Sequence, residues 1–279
     1  MKRNSRLKIN YFILEVIAII AAAIFIYPVF LMFINSFKTF REVIIDVIAL
    51  PQQLNIDNYF YVIDKMNYPR LFVNNILITA VGITGIVAFS SLAAYIIDRS
   101  RSRFTSLAFL FIITPMLIPF QTFMITLLKV MNIINLSGSR VGLGIQYWGF
   151  GIPMATFIYF NFMKTVPKEI DESAFIDGAT TFQTFIYVIF PILKPVTATV
   201  IVLDVMWIWN DFLLPLLMVN DSQKTKTLVL AAYNFVGQYN TQWHYAMTAM
   251  VLAIVPSLIF FVLLQKYIVK GVVAGSLKG

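Results

Sequence analysis

The sequence predicts an all-α integral membrane protein with six transmembrane helices, both termini in the cytoplasm and a helical cytoplasmic loop between helices 4 and 5. Of its 279 residues, 59% are hydrophobic and only 12% are charged, whereas roughly 25% of residues are charged in soluble domains. The mean hydropathy is +0.82. Six apolar windows are also long enough, at roughly 20 residues, to cross a hydrocarbon core as helices.

The six predicted spans divide the chain into short connecting segments and one longer loop. They occupy residues 11–34, 72–97, 104–128, 145–163, 196–219 and 245–269. The apolar run of the first span is too long for the core of a signal peptide, so we expect an uncleaved anchor. We see no internal repeat and predict a single transmembrane domain over residues 1–279. Prolines within the spans predict helix kinks; they are Pro115, Pro119, Pro153 and Pro256.

The distribution of positive charge predicts the orientation, because short loops rich in Lys and Arg stay in the cytoplasm. Of the 21 Lys and Arg residues, thirteen lie on the side of the two termini and eight on the other. Both termini and the loop 164–195 are therefore predicted to face the cytoplasm. The net charge of +8 is explained by this asymmetry and requires no nucleic acid as partner.

The predicted extracytoplasmic segments differ in character. Residues 35–70 form the longest, and NYFYVI within it is too apolar to remain solvated, so short surface helices are expected. Residues 129–144 contain glycine and serine typical of a turn. The last segment contains LVLAAYNFV, which is too short to span the membrane and predicts a re-entrant or partner-contacting loop.

The loop 164–195 predicts a rigid elbow of two helices. Asp171 and Glu172 place negative charge in a first helical turn, where the helix dipole favours it. Gly178 suits a C-terminal cap, and a second helical run, TTFQTFIYVIF, extends to Pro191. Two functions fit such an elbow: an interfacial helix lying in the lipid headgroups, or a docking knob for a cytoplasmic partner.

Two carboxylates interrupt the fifth predicted span, where ionisable groups are costly and mark a pathway or a partner. Asp204, Trp207 and Asp211 are spaced so that a continuous helix would place them on one stripe, with Asn210 beside them. The stripe could line a sugar route, with carboxylates bonding hydroxyls and the indole stacking on a sugar ring. Alternatively, it could hold helices together through hydrogen bonds.

The composition also excludes several functions. The chain has no cysteine and a single histidine, which leaves no thiolate or multi-histidine metal site. No catalytic residue set is evident, so an intramembrane enzyme is not expected. No phosphate-binding loop of the Gly-x4-Gly-Lys-Ser/Thr type occurs. An ion-coupled secondary transporter remains the alternative, with Asp204 and Asp211 as its coupling site, although paired repeats are not evident.

The elbow resembles the cytoplasmic signature loop of binding-protein-dependent ABC importer permeases. That pattern is Glu-Ala-Ala, then Asp-Gly-Ala, then an apolar stretch ending in Leu-Pro, and Ser173 and Phe190 depart from it. The stretches LAAYIIDR, WIWNDFLLPL, QWHYAMTAM and LQKYIVKGVVAGSLKG resemble the sugar-importing branch, similar to the second permease of maltose-type transporters. The matching loop residues are Glu172, Ala174, Asp177, Gly178, Ala179 and Pro191.

The resemblance implies a six-helix permease that carries a sugar or oligosaccharide into the cytoplasm by alternating access. Its implied location is the bacterial cytoplasmic membrane. Its implied partners are a second homologous permease forming a heterodimer, two ATPase subunits and an extracytoplasmic sugar-binding protein. The chain itself would bind no cofactor, since ATP and Mg are used by the ATPase subunits.

The resemblance also implies roles for particular residues. The coupling contact with the ATPase is expected at Glu169, Glu172, Ser173, Ala174, Asp177, Gly178, Ala179 and Pro191. The loop that reaches the binding protein is expected to contain Leu228, Ala231, Tyr233, Asn234 and Phe235. The carboxyl tail, residues 271–279, is a second candidate contact with the ATPase.

Overall fold

The computed structural model describes the backbone of residues 2–100, 102–220, 224–237 and 241–276, with side chains described between residues 11 and 266. The described residues form helices joined by turns, without a strand. The helices are α1 (Lys2–Asn35), α2 (Phe40–Ile45), α3 (Asp57–Met66), α4 (Tyr68–Ser100), α5 (Arg103–Ile113), α6 (Met124–Ile133), α7 (Arg140–Met163), α8 (Glu169–Ile176), α9 (Thr181–Thr184), α10 (Phe190–Ile192), α11 (Lys194–Asn210), α12 (Leu213–Val219), α13 (Leu228–Ala232) and α14 (Trp243–Ser276). The all-α prediction is confirmed.

Three helices in the described part of the chain are long and apolar enough to cross a membrane by themselves. They contain Tyr11–Asn35, Tyr68–Ser100 and Trp243–Lys266, and the bent pair Thr181–Ile192 and Lys194–Asn210 would count as a fourth crossing if taken together. The fourth predicted span lies inside α7, which has 24 residues. The number of crossings and their orientation stay predictions.

Two of the predicted spans are not continuous helices. The third, residues 104–128, is divided between α5 and α6 by the 3₁₀ turns Thr114–Leu117 and Phe120–Thr122. Pro115 and Pro119 explain this break, since a proline has no N–H for the helical ladder. The fifth, residues 196–219, ends its first helix at Asn210 and resumes at Leu213.

The described chain divides into two compact units. The first contains residues 2–68 and the described part of 231–253. It confirms the prediction of short helices in the segment 35–70, where Thr39 and Glu42 form a capping box at the start of α2. Asn58 donates from Nδ2 to the carbonyls of Ser36 and Lys38 at 2.9 and 2.8 Å. These bonds fix the chain that follows α1.

The second unit contains the described residues of 69–230 and 254–276, and α7 lies at its centre. This helix packs against α5, α11, α12 and the 3₁₀ turn Thr114–Leu117. Trp148 of α7 donates from Nε1 to the Val81 carbonyl of α4 at 2.8 Å. Gly144 allows the two helices to approach closely, because a Cβ at this position would lie 2.7 Å from Val81 Cβ. Small residues permit such approach in membrane helices.

We expect Gly144→Val to destabilise the second unit by about 1–3 kcal/mol, because the added side chain would overlap α4. The measurement is the thermal unfolding temperature of the purified protein in detergent. Gly149→Ala is the matched control, since a Cβ at Gly149 would meet no heavy atom within 4 Å. Equal unfolding temperatures for Gly144→Val and the unsubstituted protein would contradict this account of the helix contact.

Candidate functional site

The elbow has the helix, glycine corner and helix that the sequence predicts. After α8, the Gly178 N–H donates to the Phe175 carbonyl at 3.0 Å and the Ala179 N–H donates to the Ala174 carbonyl at 3.0 Å. This pair of bonds is the Schellman motif, which requires a left-handed residue at its corner. Gly178 has φ +85° and supplies that conformation without a steric penalty.

The second arm of the elbow begins at a capping box and ends in a sharp bend. Thr180 caps α9 together with Gln183. The helix then widens to a π turn at Phe185–Ile189 ahead of Pro191, which has no N–H to offer the ladder. The arm Thr181–Ile192 meets α11 at 75°, so the elbow leads directly into the helix that carries Asp204 and Trp207.

The predicted coupling residues divide into exposed and buried members. Ala174 is buried and packs the elbow, Ala179 is half-buried, and the others are exposed: Glu169, Glu172, Ser173, Asp177, Gly178 and Pro191. Large apolar side chains are exposed beside them, including Ile176 (86%) and Tyr187 (75%). The elbow therefore presents carboxylates and apolar groups side by side, a combination suited to a protein partner.

An ion pair attaches α8 to the end of α4. Arg99 donates from Nε to Asp171 Oδ2 at 3.0 Å, and its Nη2 lies 2.9 Å from the same oxygen. Its Nη1 donates to Asp98 Oδ2 at 2.7 Å, and Nη2 also donates to the Val166 carbonyl at 3.2 Å. Asp98 and Asp171 are both buried. The sequence pattern does not indicate this pair, because Arg99 and Asp171 are 72 positions apart.

The continuous helix expected through the fifth span is wrong at Asp211. Asp211 lies beyond the end of α11 with an extended backbone, ψ 136°, and its Oδ1 accepts a bond from the Leu213 N–H at 3.1 Å. An aspartate side chain that bonds nearby backbone N–H groups competes with the helix. Tyr147 of α7 donates from Oη to Asp211 Oδ2 at 2.8 Å, which holds the carboxylate at the break.

The two helix breaks line adjoining cavities in the second unit. One, of about 200 Å³, is lined by Phe120, Gln121, Phe150, Trp207, Asp211, Leu213 and Leu214. The other, of about 430 Å³, shares Phe120, Phe150 and Trp207 with it and adds Gln146, Met116 and other apolar side chains. Irregular backbone at membrane depth is tolerated where it lines a cavity or is buried in protein.

Aromatic rings form most of the shared wall. Trp207 contacts Tyr147 edge to face with centroids 5.3 Å apart and lies 6.5 Å from Phe150. Phe120 contacts Phe150 at 5.4 Å, also edge to face. Trp207 remains 41% exposed, so part of the indole is available to a ligand. An aromatic face beside a carboxylate can contact both the apolar and hydroxyl sides of a sugar.

The other two residues of the predicted path lie elsewhere. Asp204 is buried, with Oδ1 3.5 Å from where a Cβ on Gly151 would lie, so it faces α7 and lines neither of the two cavities. Asn210 donates to the Met206 carbonyl at 2.7 Å and accepts from Ser257 Oγ of α14 at 3.2 Å. Trp207 and Asp211 thus line the cavities, whereas Asp204 and Asn210 contact neighbouring helices.

The predicted binding-protein loop is helical in part. Leu228 and Ala231 lie in α13 and are buried, while Tyr233 and Asn234 are exposed in the 3₁₀ turn Tyr233–Phe235 and Phe235 is half-buried. In the candidate tail, residues 271–276 belong to the end of α14, and residues 277–279 lie outside the described part of the chain. The chain leading into α13 is held by Asn74 and Asn75, which the sequence prediction does not include. Two adjacent amides in an apolar span are nevertheless a signal of helix or loop contact.

Comparison with known proteins identifies the family. Residues 86–274 match the model of the binding-protein-dependent transport system inner membrane component. The chain belongs to this family. The matched range includes the elbow, both helix breaks and the loop 228–235. This family comprises transport permeases rather than enzymes. Membership of the family does not support the alternative function of an ion-coupled secondary transporter. Its members are inner-membrane components, in agreement with the apolar helices.

Similar proteins align with this chain over nearly its whole length. It is 35% identical to the probable starch degradation products transport system permease protein AmyC of Thermoanaerobacterium thermosulfurigenes, over 98% of this chain and 99% of that protein. It is 32% identical to the multiple sugar-binding transport system permease protein MsmG of Streptococcus mutans, over 97% and 98%. A bacterial ABC transporter that imports alginate shares its fold, with a TM-score of 0.78, 21% identity and coverage of 93% and 96%.

Proposed function

We propose that this chain is the permease subunit of an ATP-driven importer for a sugar or oligosaccharide. It pairs with a second homologous permease and works with two ATPase subunits and an extracytoplasmic sugar-binding protein in a bacterial cytoplasmic membrane. ATP and Mg belong to the ATPase subunits. The relatives named for starch degradation products and multiple sugars support the substrate class.

The observation that carries this proposal is the meeting of two helix breaks at one aromatic cavity. Trp207 and Phe150 offer ring faces, and Asp211 offers a carboxylate fixed by Tyr147. A pyranose has an apolar face for the indole and hydroxyl groups that donate to a carboxylate. These cavities supply one side of the sugar route, and the second permease completes it.

The elbow supplies the mechanical link to ATP hydrolysis. Its exposed carboxylates, Glu169 and Glu172, and its exposed apolar groups form the contact with an ATPase subunit. Movement of the elbow is transmitted through the 75° bend into α11, which carries Trp207 and ends beside Asp211. Alternating access then follows from rigid displacement of packed helices.

Uptake of radiolabelled maltooligosaccharide by proteoliposomes containing the assembled complex and binding protein tests this function. We expect uptake to require ATP inside the vesicles and to persist after an uncoupler is added, because ATP rather than an ion gradient drives transport. Vesicles with a non-hydrolysable ATP analogue are the control. Uptake that needs no ATP and collapses with the uncoupler would contradict the proposal.

A further inference from the structure

One helix, α4, is bonded at its two ends to the two segments that the proposed function assigns to partners. Its last turn holds the coupling helix α8 through Arg99. Its first turns hold, through Asn74 and Asn75, the chain that leads into α13. All of these groups lie in the second unit, so one continuous element joins the elbow to the approach of the binding-protein loop.

The contact at the α8 end is a buried, charge-assisted clamp. The Arg99 guanidinium places two nitrogens within 3.0 Å of Asp171 Oδ2 and a third 2.7 Å from Asp98 Oδ2. The side chains of Asp98 and Asp171 are 3% and 5% exposed. Removing one partner of a buried ion pair leaves an uncompensated charge. The clamp therefore resists separation of α8 from α4.

The contact at the opposite end consists of side-chain amides that bond the backbone of the loop. Asn74 donates from Nδ2 to the carbonyls of Lys224 and Lys226 at 3.0 and 2.9 Å. Asn75 accepts the Leu228 N–H through Oδ1 at 2.9 Å. Both asparagines are buried, where an unmade hydrogen bond is costly. These bonds fix the position at which α13 begins.

The helix between the two contacts has features of a stiff rod. Asn75 and Arg99 are about 24 residues apart in one unbroken helix, which corresponds to roughly 36 Å. After Pro69 the helix contains no proline, the commonest cause of sharp kinks. Its middle is packed against α7 through Gly144 and the Trp148 bond to Val81. Displacement of one end is therefore carried to the other with little bending.

We propose that α4 is a connecting rod that links the binding-protein loop to the coupling helix. Arg99, Asn74 and Asn75 are positioning residues in this role, since they act through the segments they hold. The inference rests on the proposed function, because the two ends of the rod are the contacts with the binding protein and the ATPase that the proposed function assigns. Engagement of a sugar-loaded binding protein at the loop would move α4 along its axis and reposition α8 against the ATPase.

The test uses the full complex in lipid nanodiscs and measures ATPase activity with and without sugar-loaded binding protein. We expect Asp171→Asn and Asn75→Ala each to lower the stimulated rate roughly tenfold while the basal rate stays within about twofold. In the doubly substituted complex we expect no further loss, because contacts in series on one element are non-additive. A role confined to stability would lower basal and stimulated rates together.

Matched controls separate the rod from general perturbation. Asn161→Ala removes an exposed asparagine whose amide donates within its own helix, to the Phe157 carbonyl. Arg103→Gln removes an exposed cation near the same end of α4. Both are expected to keep full stimulation. If Asp171→Asn fails to assemble, Arg99→Lys keeps the charge but loses the guanidinium fork, and we expect it to lower stimulation with an unchanged unfolding temperature.

The outcomes distinguish the rod from the function on which it rests. The rod alone would be overturned if sugar-loaded binding protein stimulates ATPase activity equally in the unsubstituted complex and in the assembled variants. Losses of stimulation that multiply in the double variant would also overturn the rod alone. An unsubstituted complex that recruits no ATPase, or whose ATPase ignores the sugar-loaded protein, would overturn the proposed function. Undiminished stimulation in Arg99→Lys would likewise overturn the rod if the other variants do not assemble.

Discussion

Gly178→Pro is expected to abolish uptake by the assembled complex. Proline fixes φ near −65°, whereas Gly178 requires +85°, and the substitution also removes the N–H that bonds the Phe175 carbonyl. The Schellman corner is then lost, and α8 is no longer held at its angle to α9. The measurement is ATP-dependent sugar uptake, together with ATPase activity stimulated by the binding protein.

Two milder variants keep this prediction interpretable. Glu172→Lys reverses an exposed charge on the elbow without altering the fold, and we expect uptake to fall roughly tenfold while the complex remains assembled. Gly138→Ala is the matched backbone control, because Gly138 also has positive φ, +71°, but lies in the turn before α7. Unchanged uptake in both Gly178→Pro and Glu172→Lys would rule out docking through the elbow.

Trp207→Ala is expected to lower sugar uptake by roughly tenfold or more, because it removes the exposed aromatic wall of the cavity, and aromatic contacts dominate such sites.

Asp211→Asn is expected to raise the half-saturating sugar concentration for stimulated ATPase activity. The amide oxygen can still accept the Leu213 N–H, and the amide NH2 can donate to the Tyr147 hydroxyl oxygen. The anionic charge is lost, so charge-assisted bonds to sugar hydroxyls are weakened.

Leu203→Ala is the control for these cavity variants. Leu203 is an exposed apolar residue on the same helix, α11, and does not line either cavity. We expect its uptake to match that of the unsubstituted complex. If Trp207→Ala and Asp211→Asn complexes transport sugar with unchanged rate and half-saturation, the cavity is not on the sugar route of this subunit.

The elbow was predictable because its signals are local. An acidic first turn, a glycine at the corner and a second helical run occur within about twenty consecutive residues, and each acts on the backbone beside it. The same holds for the short helices between residues 35 and 70. Asp211 also carries a local signal for a helix end, since aspartate favours caps and turns. The apolar residues on both sides of Asp211 nevertheless predict a continuous helix.

The cavity and the connecting rod depended on contacts between distant parts of the chain. Tyr147 and Asp211 are 64 positions apart, and Arg99 and Asp171 are 72 positions apart. The break in the third span could be foreseen as a kink at Pro115 and Pro119. That it faces the break at Asp211 could not be foreseen, because the orientation of one helix against another depends on packing.

By itself, the sequence determined that this protein consists of apolar helices with a polar, glycine-cornered elbow, since hydropathy and capping act over a few residues. Its motifs also determined the family. Only the tertiary structure decided which carboxylate lines the cavity, which one is buried against a neighbouring helix, and that Arg99 and Asn75 anchor the two ends of one rod. Side-chain partners across helices depend on helix rotation and close approach at residues such as Gly144, which a linear pattern does not specify.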